Sequence, residues 1–142
     1  MYYVGGTYSM LQSLPHGVKI SITRSIATAF EQYMAKIQWE DHRFSFEEFM
    51  QEWKEYIQSN SSWYHKVSNE IKSSPEFHEE IASKMNEIIE KIISEEPTPE
   101  QIETVDALQK QLGTDYDYSC KMEAKFYIDF LSKQLKENAA YK

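Results

Sequence analysis

From about residue 20 onward, apolar side chains recur at three- and four-residue steps, the spacing of one helical face. Ile22, Ile26, Ala29, Phe30, Tyr33, Met34 and Ile37 predict a first helix. Its start is unmarked, because Val18, Ile20 and Ile22 also alternate as a short strand would. Ser45 and Glu48 have the spacing of a capping box, in which hydroxyl and carboxylate satisfy orphan amides reciprocally. A second helix is expected there, lined by Phe46, Phe49, Met50, Trp53, Tyr56 and Ile57 and interrupted by the SNSS run at residues 59–62. A short third helix can follow, capped by Ser62, with Trp63, Val67 and Ile71 inward.

Ser74 followed by Pro75 is a helix-start signal, since proline at the first helical position gives up an amide that had no partner. Ile81, Met85, Ile88, Ile89 and Ile92 then form a stripe that predicts a fourth helix to about Ser94. Pro97 and Pro99 end it, and Thr98 with Gln101 forms a second capping box. The fifth helix is expected to bury Ile102, Val105, Leu108 and Leu112 and to stop at Gly113 in a left-handed cap. A sixth, from about Asp115 to Glu137, has a wide apolar arc that includes Cys120, Met122, Phe126, Tyr127, Phe130, Leu131 and Leu135. The pattern therefore predicts an all-α, single-domain bundle of five or six helices (residues 18–142) behind a non-helical N-terminal arm (residues 1–17).

A chain of 142 residues suits one domain, which can bury roughly two thirds of its unfolded surface. Cys120 is the sole cysteine, so neither an internal disulfide nor a paired-cysteine zinc site is available. That favours a reducing, cytoplasmic setting. No window approaches the roughly 18 apolar residues of a membrane span, and Gly5 and Gly6 interrupt the stretch where a signal peptide would be apolar.

The net charge of -8 is unevenly placed. Residues 1–39 carry Lys19, Arg24 and Lys36 against Glu31, whereas Glu76 to Asp106 hold a run of carboxylates opposed only by Lys84 and Lys91. Such a field repels phosphate, which argues against nucleic acid or an anionic membrane and favours a protein partner with a basic surface.

The signatures of chemistry fail one by one. In "GTDYDYSC", a calcium loop starting at Asp115 would have oxygen ligands at Asp115, Asp117 and Ser119, but Cys120 and Phe126 stand where glycine and glutamate are required. Capping fits better, with Thr114 or Asp115 starting the helix and Asp117 complementing its dipole. The same carboxylates would raise the Cys120 thiol, which reads as a small buried hydrophobe. No histidine has a glutamate three residues before it, and Ala82 breaks HExxH after His78 and Glu79. Glycine-rich phosphate loops and the nucleophile elbow are missing. No catalytic residue, metal or cofactor is expected, although residues from separate helices could still assemble a site that spacing does not reveal.

One feature exceeds composition: residues 39–64 hold eight aromatics. The second helix accounts for half of them, leaving Trp39, Phe44, Trp63 and Tyr64 in connecting segments, where an amphipathic ring is either a binding anchor or a plug for the bundle end. With Glu79, Glu80, Glu87 and Glu90 as the acidic counterpart, these are the candidate partner-binding residues. Tyr2, Tyr3 and Tyr8 in the arm are a second candidate surface. The expected function is a non-catalytic protein-interaction module, whether regulator, adaptor or inhibitor. The alternatives are an immunity- or antitoxin-type inhibitor mimicking phosphate, a helical enzyme or small-ligand sensor with an inter-helix pocket lined by tyrosines and His65 or His78, and self-association into a homo-oligomer.

Overall fold

A computed structural model describes residues 14–140. Among these the regular elements are all helical: α1 (His16–Lys36), α2 (Phe46–Asn60), α3 (Asn69–Lys72), α4 (Pro75–Ser94), α5 (Pro99–Leu112) and α6 (Lys121–Ala140), with 3₁₀ turns at Asp41–Arg43 and Ser62–His65. The all-α expectation of five or six helices holds. The helices gather into two compact units divided between Ile89 and Glu90, within α4. Tyr2, Tyr3, Tyr8 and most of the expected arm lie outside the described residues. The arm's last two residues, His16 and Gly17, already belong to α1.

The ambiguity at the start of α1 resolves as helix. Val18 and Ile22 face inward with Ile26, Ala29, Phe30, Tyr33 and Met34, while Ile20 is left exposed. The helix ends in a Schellman arrangement: the Trp39 amide donates to Met34 O (2.8 Å) and the Gln38 amide to Ala35 O (3.1 Å). This geometry requires a left-handed residue, usually glycine. Here Gln38 (φ 57°) and Trp39 (φ 56°) both adopt it, at a steric cost of about 1–2 kcal/mol each.

Ser45 caps α2 as the sequence implies, its hydroxyl accepting from the Glu48 amide at 3.3 Å. The box is not closed directly, however. The Tyr33 hydroxyl intervenes, accepting from the Ser45 amide (3.0 Å) and donating to Glu48 Oε1 (3.0 Å). A residue of α1 thereby completes the cap of α2 and ties the two helices into a hairpin. Phe49, Trp53 and Ile57, spaced by four, are the buried row of α2. Trp53 Nε1 donates to Ser25 Oγ (2.9 Å), which in turn donates to Ile22 O (2.7 Å).

The third element differs from expectation. Ser62 starts a 3₁₀ turn in which Trp63 is buried, and the short α3 follows under a separate cap, Ser68 accepting from the Ile71 amide at 3.2 Å. The first unit also takes in Phe77, Ile81, Met85 and Ile88 of α4, all buried.

In the second unit the Thr98–Gln101 capping box is complete, with both bonds at 3.1 Å, and Gly113 has the predicted left-handed conformation (φ 70°). Val105 of α5 with Tyr127 and Leu131 of α6 form the core, and Leu108, Leu112, Tyr118, Phe126, Ile128 and Phe130 pack around it. Ile102 is not part of it and is 43 % exposed. The largest departure is the start of α6, at Lys121 and not near Asp115. Buried Gln109 explains it. Its Oε1 accepts from the Tyr116 amide (2.7 Å) and the Thr114 hydroxyl (3.0 Å), and its Nε2 donates to Tyr116 O (3.1 Å). A side-chain amide thus supplies the hydrogen bonds a helical turn would have supplied, and the chain stays non-helical through residue 119. The amide of Ser119 is then taken by Glu123 Oε1 (2.8 Å), so Glu123 secures the helix start in place of Asp115 and Asp117.

Candidate functional site

The four connecting-segment aromatics do not share one surface. Trp39 and Phe44 pack edge-on against Phe30, with centroids at 6.0 and 6.5 Å, and Phe44 also meets Tyr33 at 5.7 Å. Both are half-buried and plug the α1–α2 turn. Trp63 and Tyr64 follow the far end of α2, about 20 Å away along a helix of 15 residues. Trp63 is 1 % exposed and packs in the core of the first unit. Tyr64 stays half-exposed. Among the carboxylates, Glu79, Glu87 and Glu90 are exposed and Glu80 is half-buried. Glu87 pairs with Lys84 at 3.3 Å, and Glu90 belongs to the second unit.

What the structure brings together instead is a cleft of about 250 Å³ in the first unit. Helical spacing builds it. On α2 the inward row of Trp53 and Ile57 forms the floor, and the next row, Lys54 and Gln58, forms the rim. On α4, Phe77 and Ile81 continue the floor while His78 stands at the rim. The stacked pair Trp53 and Trp63 (6.1 Å, 27° between planes) backs the floor, and Tyr64 and Lys72 complete the edge.

Lys72 is held from both sides. Its Nζ lies 3.9 Å from the Tyr64 ring centroid and donates to Tyr64 O at 3.0 Å. Its carbonyl accepts from His78 Nε2 at 2.7 Å, which fixes that ring nitrogen as the protonated one. A cation over an aromatic face is worth about 0.5–1 kcal/mol at an exposed site. The Nζ keeps donors to spare, and among the described residues no carboxylate lies within 4.0 Å of Lys72 or of Lys54. The wall also contains an unspent donor: the Trp63 indole N–H is buried with no acceptor among the described residues.

Other chemistry is sparse. Among the described residues no three His, Cys, Asp or Glu side chains converge as metal ligands. Cys120 is buried, and burial pushes its thiol up, with the neighbouring Glu123 and Met122 amides pulling partly back. Burial also raises the Tyr33 phenol, the Ser45 amide opposing and the Glu48 carboxylate adding to the rise. No helix among the described residues is long and apolar enough to cross a membrane.

Comparison with known proteins adds no relative: no family model, curated protein or solved structure matches the chain. Function is therefore argued from the cleft. Its cationic edge had no visible signal in the sequence, because Lys54 and Lys72 stand on separate helices and line one cleft only through the fold.

Proposed function

We propose that the protein is a non-catalytic interaction module that receives a side chain of a partner protein in the cleft between α2 and α4. The observation that carries this reading is the size of the cleft. About 250 Å³ falls below the roughly 300–1,000 Å³ of sites that enclose a cofactor or drug-sized ligand, and it matches a single large side chain. A floor of Trp53, Ile57, Phe77 and Ile81 suits a buried anchor, and a polar rim suits the edge of an interface. Exposed Glu79 and the neighbouring acidic run add a long-range field that favours a partner with basic surface. The lone cysteine fits a reducing compartment such as the cytoplasm.

A small-ligand sensor is the second reading, and one observation favours it: the cleft edge holds Tyr64 and His78, the residue types expected of such a pocket.

Affinity capture from source-cell lysate with the wild-type chain and with Ile57→Arg, which fills the floor with charge, tests the interaction reading. A protein retained by the wild type and lost with a folded Ile57→Arg chain supports it. Retention unchanged by the substitution places the interface elsewhere and removes the cleft from this function.

A further inference from the structure

We infer that the cleft is specific for an apolar side chain with a carboxylate beside it, as in an aromatic residue at the C-terminus of a partner chain. The inference rests on the reading of the cleft as a side-chain receptor and specifies its ligand.

Charge complementarity carries the argument. The chain has a net charge of -8, yet the edge of this cleft is cationic, with Lys54 on α2 and Lys72 at the end of α3. Neither ammonium has a carboxylate within 4.0 Å among the described residues, in a molecule with carboxylates in excess. Lys72 is also ordered in advance, its Nζ fixed over Tyr64 and its carbonyl fixed by His78. Ordering a flexible lysine before binding removes part of the entropy that a charge pair otherwise costs. The floor is apolar and aromatic, so the ligand's charge belongs at the edge and its ring inside. A cationic ligand would meet Lys54 and Lys72, and a nucleotide exceeds the available space.

The test uses the full chain, labelled with ¹⁵N and observed by NMR, titrated with N-acetyl-L-phenylalanine, N-acetyl-L-phenylalanine amide and phenethylamine. A ligand of about fifteen heavy atoms is expected to bind with a dissociation constant on the order of millimolar. The free acid should shift the indole signals of Trp53 and Trp63 and leave that of Trp39 in place. The amide should bind about three- to fivefold more weakly, the scale of one partly exposed charge pair, and the amine more weakly still. In the Lys54→Gln/Lys72→Gln double variant, the acid should fall to the affinity of the amide while amide binding persists. Equal affinity for acid and amide, preference for the amine, or shifts that include Trp39 to the same degree would overturn the ligand assignment. Those results leave the capture experiment with Ile57→Arg to decide the interaction reading by itself. Absence of any shift at saturating acid overturns the assignment as well.

Discussion

The indole nitrogen of Trp53 donates to the Ser25 hydroxyl across 2.9 Å of buried space between α2 and α1. Its stacking partner Trp63 is equally buried, and its indole N–H reaches no acceptor among the described residues. The two rings therefore differ mainly in hydrogen bonding. Trp53→Phe removes a satisfied bond, whereas Trp63→Phe removes an unsatisfied donor, a difference of about 1–3 kcal/mol for otherwise similar losses of volume. Trp53→Phe is expected to be the more destabilising, measured as urea midpoints by circular dichroism. Equal losses would mean that Trp63 has an acceptor after all.

Tyr33 offers a second substitution. Tyr33→Phe leaves the ring among Phe44 and Phe49 but withdraws the hydroxyl that serves Ser45 and Glu48. The expected loss is about 1.5–3 kcal/mol, as for a bond to a charged group. Because Glu48 acts through that hydroxyl, Glu48→Gln should cost little more in the Tyr33→Phe background, and a double-mutant cycle checks this. There is a pH consequence too. The folded phenol is raised above its ordinary value of 10.0, so its contribution to stability is complete below pH 10.0 and is lost as pH rises through the folded value. Tyr33→Phe should flatten the alkaline decline seen in urea unfolding above that pH.

Backbone strain predicts two changes of opposite sign. Gln38→Gly relieves about 1–2 kcal/mol of left-handed cost against glycine's added unfolded-state entropy, for a net gain of about 0.5–1 kcal/mol. Gly113→Ala should lose about 1–2 kcal/mol. A methyl at residue 113 would meet nothing within 4 Å, so the loss is conformational and not steric crowding. Thermal unfolding of the two variants tests both signs.

Cys120 is 1 % exposed, and burial holds its thiol above the ordinary value of 9.0. Its alkylation by iodoacetamide at pH 8 should be at least about a hundredfold slower in the native chain than in urea, because reaction waits on opening of the segment that covers it. The unfolded thiol ionises first as pH rises, so stability from this group is complete below pH 9.0 and is lost through the folded value. A native rate close to the unfolded one would contradict the burial.

Helix identity was legible wherever the local signal acted alone. Thr98, Gln101 and Gly113 took the cap positions that their spacing predicted, because the groups they satisfy lie within one turn. Expectation failed where a distant side chain entered. Gln109 reaches seven residues ahead and delays α6 to Lys121, and Tyr33 enters the Ser45 cap from another helix. Trp63 illustrates the same limit. Nothing local distinguishes an aromatic anchor from a core ring, and stacking on Trp53, ten residues earlier, decides for the core. The cleft was less legible still, since its edge depends on where three helices and a turn bring their rim residues.

The division at Ile89 has a practical consequence. Trp39, Trp53 and Trp63 all precede it, and Cys120 follows it. Indole fluorescence therefore reports on the first unit alone, and the opening of the buried Cys120 thiol to alkylation reports on the second, so the chain shows, without added tryptophans or cysteines, whether its halves melt together or in turn.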